Sequence, residues 1–159
     1  MHRIIFILTM IFTPLLANAQ SVIPRDGWMV FPTQFGYGQL VKRTRSAISK
    51  APIGIVTQAS ATVGAKGQGI KIPGNIVLGV YRNDYARRML ATSVAAGIEA
   101  PIRLYVTENA DKTATLSYKT ASTVFAPYME EGGKELHDLA QELDGILLSI
   151  AHKAVPLPQ

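Results

Sequence analysis

The sequence contains no cysteine in its 159 residues. A disulfide, a thiol nucleophile, an iron–sulfur cluster and a zinc site built on thiolates are therefore all excluded. Charged residues are also scarce, at 17%, whereas hydrophobic residues make up 48%. This balance argues against a disordered chain, because disorder needs low hydrophobicity and a high net charge. The length is that of one domain with a core of its own.

Sequence signatures of catalysis are missing as well. No G-x-S-x-G segment places a serine nucleophile on a sharp turn. His137 and His152 lie about four turns apart on one predicted helix, too far to share a metal. Paired carboxylates could support glycoside hydrolysis, but no pattern in the sequence fixes their separation. We therefore predict no catalytic residue, no metal and no cofactor.

The first 19 residues have the features of a secretory signal. A positive start, 1–3, precedes an apolar run, 4–16, and Ala17-Asn18-Ala19 has the small-x-small pattern of a cleavage site. The run is about 13 residues long, whereas a spanning helix needs about 20. We expect cleavage before Gln20 and export to the periplasm or the extracellular space, with no stable membrane insertion afterwards. A retained membrane anchor is the alternative.

The basic residues form two clusters, and the formal net charge is +5. One cluster lies within residues 42–50 and the other within residues 82–88. The excess is modest and no known nucleic-acid-binding motif accompanies it. The pattern predicts solvated faces of two amphipathic helices and no nucleic-acid partner.

Hydrophobic periodicity predicts an α+β fold for a single domain over residues 20–159. The predicted strands are 27–33, 53–59, 76–81, 101–107 and 113–119, with a further short strand at 69–72. The predicted helices are 35–50, 85–96 and 134–152, and residues 60–69 form either a short helix or a loop. A tight turn at 109–112 joins the last two strands into a hairpin. The order β-α-β-(β)-β-α-β-β-α indicates a two-layer domain, a mostly antiparallel β-sheet with helices packed on it.

The corner between the strand at 76–81 and the following helix is the best candidate for a site. Tyr81, Arg82 and Asn83 lie where free backbone N–H groups are available, and Asn83 is the predicted N-cap. Arg82 together with Arg87 or Arg88 could hold a carboxylate or a phosphate. The alternative is that these residues only cap the helix and make solvated surface pairs.

Two further residues complete the candidate ligand-binding set. Glu99 precedes the strand at 101–107, and Gly97 before it is predicted to end the helix in the left-handed conformation. Tyr118 and Tyr105 are predicted to be cross-strand neighbours on one sheet face. Such an aromatic wall would line a pocket or be buried in an interface.

Several segments resemble a known family in their order and spacing. Ala65, Gly69 and Ile72 lead into the strand at 76–80, and the corner Tyr81-Arg82-Asn83 follows it. Gly97-Ile98-Glu99-Ala100-Pro101 then opens the next strand, before the Asp111-Lys112 turn and Ser117-Tyr118. With the helix at 40–48, residues 35–128 resemble the bacterial α+β domains catalogued as domain of unknown function 302. The resemblance implies a homodimer.

The sequence departs from the family pattern at three places. Val80-Tyr81-Arg82-Asn83 replaces Phe-Gly-Asn-Pro, and Glu99-Ala100-Pro101 replaces Asp-Leu-Pro. Thr57-Gln58-Ala59 stands where many members have Ile-Asp-His, so no histidine role is transferred to this chain. The predicted helix at 134–152 lies beyond the matching region.

We therefore predict an exported, dimeric domain that binds a small anionic ligand or a partner without catalysis. The competing hypothesis is a periplasmic hydrolase that uses Glu99 with Arg82 and a tyrosine.

Overall fold

The computed structural model describes residues 20–156. The predicted signal at 1–19 lies outside these residues, as do the last three, 157–159. Among the described helices, none combines the length and the apolar character needed to cross a membrane.

Five strands form one antiparallel sheet in the order β1-β5-β4-β3-β2. The strands are β1 (Trp28–Gly36), β2 (Gly54–Ala59), β3 (Asn75–Tyr81), β4 (Ile102–Glu108) and β5 (Thr113–Lys119). The predicted hairpin is confirmed as β4 and β5. The nearly continuous apolar run of β3 is explained by its position inside the sheet, between β4 and β2.

Five helices accompany the sheet in residues 20–156, which confirms the predicted α+β fold class. They are α1 (Tyr37–Ser49), α2 (Ala61–Gly67), α3 (Asn83–Thr92), α4 (Ala121–Phe125) and α5 (Met129–Ala154). Two short 3-10 turns, Ala95–Glu99 and Ala126–Tyr128, follow α3 and α4. Residues 60–69, for which either a short helix or a loop was predicted, contain the helix α2.

The optional strand at 69–72 is wrong, because this segment ends a helix. Gly69 has a φ of 75°, a left-handed conformation that suits glycine after a helix. The N–H of Ile70 then donates to the carbonyl of Ala65 at 2.9 Å and closes the helix end. The backbone at this point therefore turns instead of pairing with a neighbouring strand.

The predicted bounds of α3 also need correction. Arg82 occupies the N-cap position, and it makes no side-chain capping bond, so the predicted cap by Asn83 is wrong. Ser93 is extended, and its Oγ accepts a hydrogen bond from the N–H of Ala96 at 3.0 Å. This local bond competes with the helix and ends it at Thr92. Gly97 lies inside the 3-10 turn without a positive φ, so the predicted left-handed end is wrong too.

The last helix is longer than predicted. It begins at Met129 and continues past Gly133, whose φ of 57° interrupts the regular helix. The predicted span, 134–152, lies within the part after this interruption. Its apolar stripe is at most 4% exposed and consists of Leu136, Leu139, Leu143, Leu147 and Ile150.

The two faces of the sheet differ in what covers them. Residues paired across antiparallel strands place their side chains on the same face. Leu78, Leu104 and Leu116 lie on one face, are 0% exposed, and form one cluster with the buried side chains of α1, α3, α4 and α5. We call this the helix-covered face. The opposite side is the open face, which carries Trp28, Val30 and Pro32 of β1, Thr115, Ser117 and Lys119 of β5, Arg103 and Tyr105 of β4, Val77 and Gly79 of β3, and Thr57 of β2.

Candidate functional site

At the predicted corner, Arg82 is engaged by its immediate neighbours. Its guanidinium group forms a two-pronged ion pair with the carboxylate of Asp84. Its Nη1 donates to the carbonyl of Pro52 at 3.0 Å, and its carbon lies 4.6 Å from the centroid of the Tyr85 ring. The hydrogen bond from Arg82 lowers the pKa of Asp84 and raises the pKa of Arg82 itself. The positive charge of Arg82 is therefore already paired within the corner.

A second ion pair fastens α3 to α5 beside the corner. The hydroxyl of Tyr85 donates to Glu142 at 2.6 Å, and Arg88 Nη1 donates to the other carboxylate oxygen at 2.8 Å. The hydrogen bond from Tyr85 and, to a smaller extent, the one from Arg88 lower the pKa of Glu142. The cavity lined by Tyr81 and Arg82 measures only about 30 Å³. It has room for about one water molecule, far less than the several hundred Å³ of an ordinary ligand pocket.

Glu99 is held by partners other than Arg82. The hydroxyl of Tyr128 donates to Glu99 Oε1 at 3.0 Å, and Arg103 Nη2 lies 3.9 Å from Oε2. The bond to Glu99 raises the pKa of the Tyr128 hydroxyl. Asn83 and Arg87 are exposed on α3 and line neither the cavity at the corner nor the hollows described below.

Tyr118 lies on the helix-covered face and is 2% exposed. Its ring stacks on Phe31 with centroids 6.1 Å apart, and burial raises the pKa of its hydroxyl. The hairpin register pairs Leu104 with Tyr118 and Tyr105 with Ser117. The prediction that Tyr105 and Tyr118 share a face is therefore wrong, because the register places them on opposite faces.

The largest concave features near Glu99 are two adjoining hollows at one end of the sheet. The first measures about 310 Å³ and the second about 400 Å³. The first is lined by Trp28, Val77, Glu99, Ile102, Arg103, Tyr105, Tyr118, Lys119 and Val124. The second is lined by Thr57, Gln58, Ala59, Val77, Ile98, Glu99, Ala100, Pro101 and Arg103. They share Val77, Glu99 and Arg103, and we call them together the open-face groove. Two residues of its lining, Ile102 and Tyr118, belong to the helix-covered face and reach the first hollow at the end of the sheet.

Trp28 forms an aromatic wall of the open-face groove between positive charges. The guanidinium carbon of Arg25 lies 5.2 Å from the centroid of the Trp28 ring, and Lys119 Nζ lies 5.8 Å from it. Strand pairing sets Trp28 directly opposite Lys119. Tyr105 and Arg103, on the same face of β4, complete an arrangement of aromatic rings and cations.

Two residues of the open face have unusual surroundings. A Cβ atom on Gly79 would lie 2.1 Å from Thr57 Oγ1 and 2.8 Å from Pro101 Cγ, so a side chain there would collide with the groove wall. Beside Tyr105, the Ser117 hydroxyl is buried and has no hydrogen-bond partner among the described residues. A buried hydroxyl without a partner is uncommon, but Ser117 lines neither hollow of the groove.

Of the predicted site residues, the structure brings Glu99 and Tyr118 to the first hollow and places Tyr81 and Arg82 at the separate corner cavity. Sequence analysis did not identify Trp28, Arg103 and Lys119 as a group. The alternation in β4 places Arg103 and Tyr105 on one face, but Trp28 joins them only through the pairing of β1 with β5. Within residues 20–156, no cluster of three or more His, Asp or Glu residues could hold a metal ion.

Comparison with known proteins adds a family and a fold. The family described as "Domain of unknown function DUF302" matches residues 29–150. A crystal structure of an uncharacterized conserved DUF302 protein from Bacillus stearothermophilus superposes with a TM-score of 0.70 at 15% sequence identity. The match covers 82% of this chain and 99% of the other. The comparison with curated proteins gave no match. Because the family match spans most of its length, the chain belongs to the DUF302 family of domains of unknown function.

Proposed function

We propose that this protein is an exported binding domain without catalysis, and that its open-face groove takes up a small planar organic anion such as an aromatic carboxylate. One observation carries the proposal: Trp28 stands in a hollow of about 310 Å³ with Arg25 and Lys119 near its ring. A volume of this size lies at the lower end of ordinary small-molecule pockets. Export is the expectation from the signal-like residues 1–19.

The groove has the chemistry for an aromatic anion. Trp28 and Tyr105 offer flat apolar surfaces, which favour offset or edge contacts with another ring. Arg103 and Lys119 are exposed and offer charged donors to a carboxylate, and an arginine can bind both carboxylate oxygens. Glu99 already accepts a bond from Tyr128 and lies near Arg103, so its charge is partly offset.

The single tryptophan makes the proposal directly testable, because Trp28 is the only tryptophan in the chain. Its fluorescence therefore reports on the groove alone. Titration with benzoate should change the Trp28 emission saturably, while neutral benzamide, which has the same ring, should bind at least about fivefold more weakly. Arg103→Gln should weaken benzoate binding, and Arg87→Gln, which removes an exposed charge from α3, should leave it unchanged.

An equal response to benzoate and benzamide would contradict the proposed anion selectivity. An equal loss in both variants would show attraction by net charge and would contradict a site in the groove.

A second copy of the chain is the partner favoured by one observation. β2 lies at the edge of the sheet, most of its residues are exposed, and Val56 on it is 54% exposed. Exposed edge strands pair readily with another strand. We propose a homodimer through β2, to be tested by sedimentation equilibrium. Val56→Lys should shift the chain towards monomer, and a parent chain that is monomeric at every concentration would contradict the dimer.

The alternative is a hydrolase, and in the structure the residues around Glu99 differ from those predicted. Around Glu99 the contacts are made by Tyr128 and Arg103, while Arg82 contacts Asp84. The test is hydrolysis of aromatic esters by the parent and by Glu99→Gln. Turnover that is lost in the variant would favour an enzyme over a binding domain.

A further inference from the structure

The charges of the chain are segregated along the sequence. No acidic residue occurs between Asp26 and Asp84, and none occurs in residues 145–156. The first stretch contains the whole of α1, and the second forms the last part of α5. These two helices pack against each other. Their contact therefore creates a surface that has positive charges and no carboxylate of its own.

A groove of about 650 Å³ lies on this surface. We call it the α1–α5 groove, and its polar lining consists of Gln39, Lys42, Arg43, Ser46, Lys50 and Lys153. The residues from α1 follow the spacing of neighbours on one helix face. None of the four cations forms an ion pair within residues 20–156. Four positive charges thus face one concave space.

The side chain of Arg43 is held in one orientation by its neighbours. Its Nε donates to the carbonyl of Ala154 at 2.7 Å, and its guanidinium carbon lies 4.4 Å from the centroid of the Phe35 ring. These contacts use one of its nitrogens and leave the two Nη groups without a partner among the described residues. An arginine held in one orientation loses less entropy when it binds an anion.

Helix dipoles do not account for the whole cluster. Cations near the C-terminal end of a helix are stabilised by its dipole, which explains Lys50 and Lys153. Lys42 and Arg43, however, lie at the middle of α1, where this effect gives no stabilisation. Four like charges around one groove repel each other unless an anion is bound.

The surroundings favour a soluble anion over a membrane or a nucleic acid. Binding at a membrane surface usually adds the insertion of apolar side chains. The large exposed apolar residues lie at Ile23, Val56, Val63, Ile70, Leu90, Val94 and Ile98, and none of these belongs to α1 or α5. Single-stranded nucleic acids also need aromatic side chains for stacking, and no aromatic residue lines the groove.

We propose that the α1–α5 groove binds a soluble anion with several phosphate groups. Each phosphate supplies up to two negative charges and three acceptor oxygens, which suits four cations with a serine hydroxyl and an amide beside them. This site is separate from the open-face groove and shares no lining residue with it.

The test is isothermal titration calorimetry, which measures the binding of sodium tripolyphosphate to the full chain. Lys42→Gln combined with Lys50→Gln should weaken binding about tenfold or more. The matched control combines Lys66→Gln with Lys71→Gln, which removes the same charge at exposed positions outside the groove. The control should bind like the parent, and binding should weaken as salt is added.

Three outcomes would overturn the proposal. They are no binding by the parent, an equal loss in both double variants, and binding to phosphatidylglycerol vesicles without binding to tripolyphosphate. Benzoate binding followed by Trp28 fluorescence should be unchanged in the Lys42 and Lys50 variant, which separates this site from the proposed function.

Discussion

The two faces of the sheet use the same strands for different purposes. In β4, Leu104 is 0% exposed and packs into the core, whereas its neighbours Arg103 and Tyr105 point to the open face. The helix-covered face carries aliphatic side chains that stabilise the fold by burial. The open face carries aromatic and charged side chains that are half-buried, such as Trp28, or exposed, such as Arg103 and Lys119. These side chains of the proposed site are therefore outside the buried hydrophobic cluster.

Replacing Leu104 by alanine should have the largest effect. It removes a fully buried side chain between Leu78 and Tyr118 and leaves a cavity, so the free energy of unfolding should fall by about 2–5 kcal/mol. Arg103→Ala, one residue earlier on the open face, should change it by no more than about 0.5 kcal/mol. Urea unfolding measures both, and similar losses in the two variants would contradict the division between the faces.

Gly79→Ala should be an exception to the difference between the two faces, because this residue of the open face has a structural role. The added Cβ would collide with Thr57 and Pro101, and the unfolding free energy should fall by about 1–3 kcal/mol. The control is Gly54→Ala in β2, where a Cβ meets no atom of the described residues within 4 Å. If the two variants are equally stable, the close contact of Gly79 with Thr57 and Pro101 has no structural role.

The smallest effect is expected at the ion pairs beside the corner. The bonds from Tyr85 and Arg88 lower the pKa of Glu142, so its contribution to stability is present above its unfolded pKa of about 4.3 and is lost as the pH falls through the folded value. Glu142→Gln should lower the Tm by about 2 °C at pH 7. Below about pH 4 the difference from the parent should shrink.

Thermal unfolding across this pH range measures the effect. The control is Glu135→Gln, which removes an exposed carboxylate from the same helix and should leave the Tm at pH 7 unchanged. A difference for Glu142→Gln that grows towards acid would have the wrong sign for a lowered pKa.

Local patterns in the sequence predicted much of the fold. Apolar alternation located β4 and β5, and the continuous apolar run located β3, because both patterns reflect burial within a few neighbouring residues. The optional strand at 69–72 failed because hydrogen bonding after α2 turns the chain at Gly69. The cap at Asn83 failed because Arg82, which pairs with Asp84, occupies the N-cap position.

The candidate site was harder to predict than the fold. The corner attracted attention because its polar residues are consecutive, yet the structure shows their charges satisfied by close neighbours. The open-face groove unites Trp28, Arg103 and Lys119, which are distant in sequence and meet only through strand order and register. A single sequence contains no local pattern that indicates which distant residues will lie close together.

Chemical-shift mapping of the full chain during a benzoate titration tests the central claim most directly. We expect saturable shifts at the Trp28 indole and at Tyr105 and Lys119, with the residues of α1 and the corner at Arg82 unaffected. Shifts confined to Arg82 and its neighbours, or no saturable shift at Trp28, would contradict a ligand site on the open face.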